Sequence, residues 1–315
     1  MSYESSMLSE LKMPPRSEVE FALLQALFKH NGVIKEFGAG EEIVQEIAVF
    51  FGLSEKQRKA YLETIYKKQN RKKRSSLWHR LLFRAADSLA KDKLVSRPTN
   101  TFHITQKREW MLTEKGFDKV LKILKIPISQ KDFLPTQSYE VQKIIKKLEK
   151  APRPANYVPF DEGKKVIQVT KELTLRQRGF RQLVIDAYSY QCAVCGVKIK
   201  SPDSLSWEVE AAHIVPHGFK GKDDILNGLA LCHIHHWAFD VGWFTLSDDY
   251  RIQVSEQINI LPKDFGRMGR YEILRGLNNN NKRIFLPSKE EIFPHQNSIR
   301  WHRENIFHAE EKLPF

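Results

Sequence analysis

Cys232-His233-Ile234-His235-His236-Trp237-Ala238-Phe239-Asp240 decides how this chain is read, and its spacing leads back to Cys192-Ala193-Val194-Cys195. Cys232 and His235 stand three apart, as Cys192 and Cys195 do. Each such pair suits a tight turn that aims both ligands at one tetrahedral ion, at roughly 2.0 to 2.3 Å. We expect Cys192, Cys195, Cys232 and His235 to hold a structural Zn²⁺ in a closed site. His233 is an alternative fourth ligand. The plainer reading of Cys192 and Cys195 is two thiols packed as small hydrophobes, which the recurrence of the spacing disfavours.

The chain has 315 residues, 41% of them hydrophobic, enough for two domains that each bury a core. Its 51 Lys and Arg outnumber 38 Asp and Glu, giving +13, so the surface attracts polyanions, nucleic acid first and anionic membrane second. No stretch approaches the roughly 20 continuous apolar residues of a membrane helix. Met1-Ser2-Tyr3-Glu4-Ser5 lacks the apolar region of a signal peptide. A cytoplasmic location away from membrane is expected, and in that reducing setting a C-x-x-C pair implies metal before disulfide.

Outward from the cysteines, hydrophobic periodicity and breakers give an α+β chain in two domains. Residues 1–15 read as a loose leader and 16–125 as a DNA-binding domain. Residues 126–170, with five prolines around one charged helix at about 139–150, read as a linker, and 171–315 as the second domain. In the first domain, helices are expected at about 18–30, 40–51, 55–66 and 75–89, the last burying Leu77, Leu81, Leu82, Ala85, Ala86 and Leu89. Leu94–Arg97 and Trp110–Leu112 then read as a hairpin with a long tip turning at Pro98 to Asn100, followed by a helix from Thr113. Helices followed by a hairpin describe a winged helix, and residues 33–124, closing on Trp110-x-Leu112-Thr113-x-x-Gly116, resemble the N-terminal winged-helix domain of Mrr-like restriction proteins.

Inside the second domain His213, Asn227 and His236 form a further pattern, which resembles the signature of HNH nucleases. The likeness covers about 176–310, including Phe180-Arg181-x-x-Val184-x-x-Ala187-Tyr188 and Trp301-His302-Arg303-Glu304. It implies a zinc-stapled ββα-metal domain, in which a β-hairpin and a helix surround one divalent metal. Phosphodiester hydrolysis needs an activated water, charge stabilisation and help for the departing 3′ oxygen. His213 suits the general base, because imidazole titrates near neutrality. Asn227, whose amide both donates and accepts, suits holding the hairpin and orienting the imidazole. His236 suits the catalytic divalent metal, with Asp240 one helical turn on as second ligand. Many family members carry a ligand just before the base, where this chain has Ala212. A nitrogen ligand makes Mn²⁺ or Ni²⁺ at least as suitable as Mg²⁺. A zinc deaminase is excluded, since its glutamate two residues after the histidine is Val215 here.

The first domain carries Lys67, Lys68, Asn70, Arg71, Lys72, Lys73, Arg74, Ser75, Ser76, His79 and Arg80 in one run without an acid. Immediately preceding or entering the fourth helix, it suits phosphate binding, with Asn70, Arg71, Ser75, Ser76 and His79 available to base edges. Phe102 or His103 near the wing tip could add apolar or stacking contact. A winged helix joined to an HNH domain resembles modification-dependent restriction endonucleases of the BisI type, which implies double-stranded DNA carrying 5-methylcytosine as substrate. One site nicks one strand, so a double-strand break takes a homodimer on DNA or successive nicks. The alternatives are an HNH nuclease indifferent to modification and a zinc-containing regulator with an inactive HNH scaffold.

Overall fold

The computed structural model describes residues 3–37, 42–66, 71–149, 153–161, 170–202, 206–257 and 281–307. The chain divides into two compact units, 1–143 and 144–315. In chain order the first contains α1 (Tyr3–Glu10), α2 (Arg16–Lys29), β1 (Val33–Lys35), α3 (Glu42–Phe50), α4 (Glu55–Arg58), β2 (Tyr61–Tyr66), β3 (Arg71–Ser76), α5 (Leu77–Lys91), β4 (Val95–Ser96), α6 (Pro98–Thr105), β5 (Glu109–Leu112) and α7 (Glu114–Ile123). The division falls inside α8 (Tyr139–Glu149).

β1, β5 and β4 form one antiparallel sheet in that order, with Ile34 opposite Trp110 and Val95 opposite Leu112. The expected apolar stripe of α5 is buried, joined by Trp78, whose indole N–H donates to the Val44 carbonyl at 3.1 Å. The Trp-x-Leu-Thr-x-x-Gly pattern has a local cause. Thr113 caps α7 by accepting from the Gly116 N–H and donates its hydroxyl to the Lys93 carbonyl. A Cβ on Gly116 would lie 1.8 Å from the Leu94 carbonyl oxygen, so only glycine lets the two chains meet there.

Three sequence expectations need correction. The helix expected at 55–66 stops at Arg58, and Tyr61–Tyr66 becomes a strand paired with Arg71–Ser76. Tyr61, Thr64, Ile65 and Tyr66 are β-branched or aromatic and favour that state. Between β4 and β5 the chain forms α6 rather than an irregular tip, because Pro98 sits at the first helical position, where its missing N–H costs nothing. The leader is helical from Tyr3 and tied down: Glu4 is buried and takes the guanidinium groups of Arg80 and Arg84 at 2.8 Å each. Both partners are more than seventy residues away in sequence, so no local pattern announces this contact.

The second unit builds the site. α9 (Thr170–Ala187) leads into the Cys192 turn, followed by β6 (Val209–His213), β7 (Gly228–Cys232), α10 (His233–Asp240), β8 (Phe244–Leu246), β9 (Ile252–Val254) and α11 (Gln296–His302). β6 and β7 are antiparallel, pairing Val209 with Cys232 and His213 with Gly228. α10 starts directly on the end of β7, so hairpin and helix form one ββα unit with Val209, Ala212, Leu229, Leu231 and Phe239 buried. α11 closes it from the C-terminal side, where His302 stacks on Phe239 with ring centroids 3.6 Å apart.

Candidate active site and metal centre

Cys192 and Cys195 lie on a tight turn in which the Gly196 N–H donates to the Cys192 carbonyl, Gly196 adopting the left-handed backbone at φ +73°. Cys232 ends β7, and His235 faces back from the first turn of α10. The ligand atoms of Cys192, Cys195, Cys232 and His235 all lie within 4.8 Å of one another. His235 Nδ1 is 3.0 Å from Cys232 Sγ and 3.6 Å from Cys192 Sγ, and the Sγ atoms of Cys195 and Cys232 are 4.0 Å apart. Ligands at about 2.3 Å on a tetrahedral ion stand about 3.8 Å from each other, so donor set and spacing fit zinc. Neighbouring thiols hold the Cys192 thiol below its ordinary range. Burial opposes a charge on His235, yet Cys192 and Cys195 raise its pKa to about 9. Both shifts reflect sulfur crowding that a cation relieves. His235, not His233, joins the cluster, for the His233 ring is exposed near Glu210.

At the other end of the hairpin, β6 delivers His213. Its ring lies against Phe180 of α9, centroids 4.0 Å apart and 18° from parallel. The opposed β7 residue is Gly228, where a Cβ would come within 2.4 Å of Val184 and 3.0 Å of Phe180. His213 Nε2 is 3.1 Å from Asp223 Oδ1, and His217 Nε2 is 2.9 Å from the same oxygen. Burial lowers the His213 pKa against the opposing pull of Asp223, so the imidazole is unprotonated at neutral pH. For Asp223 burial works upward, but hydrogen bonds from both imidazoles hold the carboxyl well below its usual range.

Asn227 is fully buried and acts on backbone. Its Oδ1 accepts from the Val215 N–H at 2.8 Å, while its Nδ2 donates to the carbonyls of Val215 and Lys222 at 3.1 and 3.0 Å. One amide therefore closes the loop between His213 and Asp223, using both of its donors and its oxygen. The expected role of orienting the imidazole is corrected: these three side-chain bonds go to backbone and none to His213.

His236 stands on α10 between two carboxylates. Its Nδ1 lies 3.0 Å from Glu210 Oε2 on β6, and its Nε2 lies 3.5 Å from Asp240 Oδ2. Glu210 thus occupies one ring nitrogen and leaves the other free as a ligand, an arrangement common to metal-binding histidines. His236 Nε2 and Asp240 Oδ2 are close to the roughly 3 Å that separates adjacent corners of an octahedral ion, and they fit a divalent metal as two of its ligands.

Residues 192–247 match the HNH endonuclease family model. They form an HNH endonuclease domain. No curated protein matches the chain. Among solved structures, one that it resembles is the Modification dependent TagI restriction endonuclease, at 23% identity over 40% of this chain and 37% of that one, with a TM-score of 0.28.

Within the HNH domain, sequence reasoning missed Glu210 and Asp223 as partners of His236 and His213. A carboxylate three residues before the base and the pair Asp223-Asp224 ahead of Asn227 were the available signals. Asp224 accepts from the Leu226 N–H and caps the turn, leaving Asp223 to reach the histidines. In the first unit, Lys67, Lys68 and Asn70 lie outside the described residues. Arg71, Lys72, Lys73 and Arg74 fall on β3, which leads directly into α5. Arg74 pairs with Glu63 at 3.1 Å, Ser76 caps α5 by accepting from His79 N–H, and Arg80 bonds Glu4 and Ser75. His79 is half-buried on α5, and burial lowers its pKa. No described helix is long and apolar enough to cross a membrane.

Proposed function

We propose that the chain is a metal-dependent DNA endonuclease whose His213 activates the attacking water. The observation that carries this is that His213, ending β6, and His236 with Asp240, on α10, lie in one HNH domain close enough for their charges to act on one another. His213, unprotonated at neutrality, takes a proton from water as the oxygen attacks phosphorus. The bond to the 3′ oxygen breaks, and that oxygen acquires a proton from solvent. A divalent ion held by His236 and Asp240, as Mg²⁺, Mn²⁺ or Ni²⁺, would supply positive charge to the phosphate and to the departing oxygen. Asn227 keeps the loop beyond the base closed, and Cys192, Cys195, Cys232 and His235 would hold a Zn²⁺ that staples the hairpin to α10.

The first unit is proposed to select double-stranded DNA as a winged helix. Support comes from its order of α2, β1, α3, α5, β4 and β5 and from its β1-β5-β4 sheet. The insertion of β2–β3 brings Arg71, Lys72, Lys73 and Arg74 together on one strand, a natural phosphate contact. Exposed Phe102 on α6 is available to a base methyl group in the major groove, and 5-methylcytosine is the modification we propose. A homodimer on DNA would cut both strands, and the free thiols suit a cytoplasmic setting.

Matched plasmids, unmodified and carrying 5-methylcytosine, test the reading when incubated with Mg²⁺ or Mn²⁺ beside a His213→Ala control. Cleavage of the methylated plasmid alone, lost in the control, is expected. Equal cleavage of both would remove modification dependence, and cleavage of neither would remove the nuclease itself.

A further inference from the structure

We propose that Asp223 is a positioning residue for His213: it accepts the Nε2–H proton of the imidazole and so fixes Nδ1 as the nitrogen that takes the proton from water. The assignment rests on the nuclease reading above and adds to it which nitrogen acts and what holds it there. Asp223 Oδ1 is 3.1 Å from His213 Nε2, and Asp223 is almost wholly buried. A neutral imidazole has one N–H and one lone pair. When Nε2 gives its hydrogen to a carboxylate, the lone pair resides on Nδ1.

Ring stacking fixes the plane of the imidazole. Phe180 covers one side of His213 at 4.0 Å, and His217 approaches at 4.4 Å with its ring tilted by 57°. His217 also donates to Asp223 Oδ1 at 2.9 Å, so the carboxylate is held by two imidazoles at once. The backbone that carries Asp223 is equally constrained. Asn227 bonds Lys222, one residue before it, and Val215, two residues after His213. Gly221 packs so close that a Cβ would lie 1.7 Å from the Val215 carbonyl oxygen. Asn227 therefore reaches the base indirectly, by setting the loop that places Asp223.

Asp223 has a second effect once the proton moves. His213 becomes an imidazolium, and a carboxylate already hydrogen-bonded to it stabilises that charge without rearranging. The same three groups, His213, His217 and Asp223, are spaced closely enough to ligate a cation, and the experiment separates the two roles.

The test joins a spectroscopic and a kinetic measurement on the full chain. With ¹⁵N-labelled histidine, the His213 signal, assigned by its loss in His213→Ala, is expected to report an Nε2–H tautomer with unprotonated Nδ1 at neutral pH. Asp223→Asn, close in shape, is expected to lose that tautomer preference and to lower kcat roughly 10²- to 10⁴-fold, with KM within about threefold. Calorimetric titration with Mn²⁺ alone is expected to give the same affinity for both proteins. An Nδ1–H tautomer in the unsubstituted chain would overturn the assignment without any variant having to fold. So would unchanged kcat in Asp223→Asn while the parent cuts DNA, and weakened Mn²⁺ binding would instead make Asp223 a metal ligand. A parent chain that cuts no DNA would overturn the nuclease reading and this assignment with it.

Discussion

Glu210 Oε2 on β6 lies 3.0 Å from His236 Nδ1 on α10, which joins hairpin and helix of the ββα unit through one charged hydrogen bond. The bond from His236 lowers the Glu210 pKa against its burial, so the carboxylate is ionised at neutral pH. It orients the ring and makes Nε2 a better ligand. Glu210→Gln should weaken metal affinity by roughly 10- to 100-fold, read as a rightward shift of the Mn²⁺ dependence of cleavage and as weaker heat release on Mn²⁺ titration. Unchanged metal dependence would show that His236 needs no such support.

Zinc removal should unfold the HNH domain. Structural zinc contributes on the order of 10–16 kcal/mol to small metal-bound folds, as much as the whole stability of a typical domain, about 5–15 kcal/mol. The Cys192 turn, β7 and α10 each carry members of the Cys192, Cys195, Cys232 and His235 cluster, so an ion bound there would fix their mutual placement. One zinc per chain is expected by elemental analysis, lost in Cys195→Ser along with the near-ultraviolet dichroism of the packed aromatics. Stoichiometric zinc and unchanged melting in that variant would eliminate Cys195 as a ligand.

Gly228→Ala should damage activity through packing alone. The new methyl would meet Val184 at 2.4 Å and Phe180 at 3.0 Å, and the His213 ring rests on Phe180. Overpacking of this kind costs roughly 1–3 kcal/mol, and displacement of a base by about 1 Å can cost about 100-fold in rate. A 10- to 100-fold fall in kcat is expected together with a lower Tm. Gly218→Ala, with nothing within 4 Å of the added carbon, should leave both near their original values.

The parts legible in sequence were those whose chemistry needs fixed local spacing. Cys192, Cys195, Cys232 and His235 converge because three-residue separations force both members of each pair onto one turn. The α5 stripe was legible because helical period and burial agree. Tyr61–Tyr66 reads as helix because a capped turn precedes it and a charged run without a Gly or Pro turn signal follows it, so its pairing with the adjacent Arg71–Ser76 strand has no sequence signature. Glu210 and Asp223 were invisible as partners for a similar reason. Each is an ordinary surface-type residue until the hairpin brings it to a histidine 26 or 10 positions away. The leader followed the same rule, since Glu4 becomes a buried anchor only when α5 presents Arg80 and Arg84.

Acid should destabilise the second unit through His302. The ring is buried, stacked on Phe239, accepts from Thr245 Oγ1 at Nδ1 and donates from Nε2 to the Phe239 carbonyl. Burial lowers its pKa from 6.5 to about 4, with the Phe239 hydrogen bond opposing. Unfolded chain therefore takes up a proton below about pH 6.5 that the folded chain resists until about pH 4. Stability contributed by the neutral ring is complete above that window and falls as pH drops through it, by about 3 kcal/mol in all. His302→Gln cannot titrate. It should be less stable than the parent at pH 7 through lost stacking, with the difference narrowing toward pH 4 in urea unfolding. Parallel pH dependence of parent and variant would show that the acid sensitivity resides in other groups.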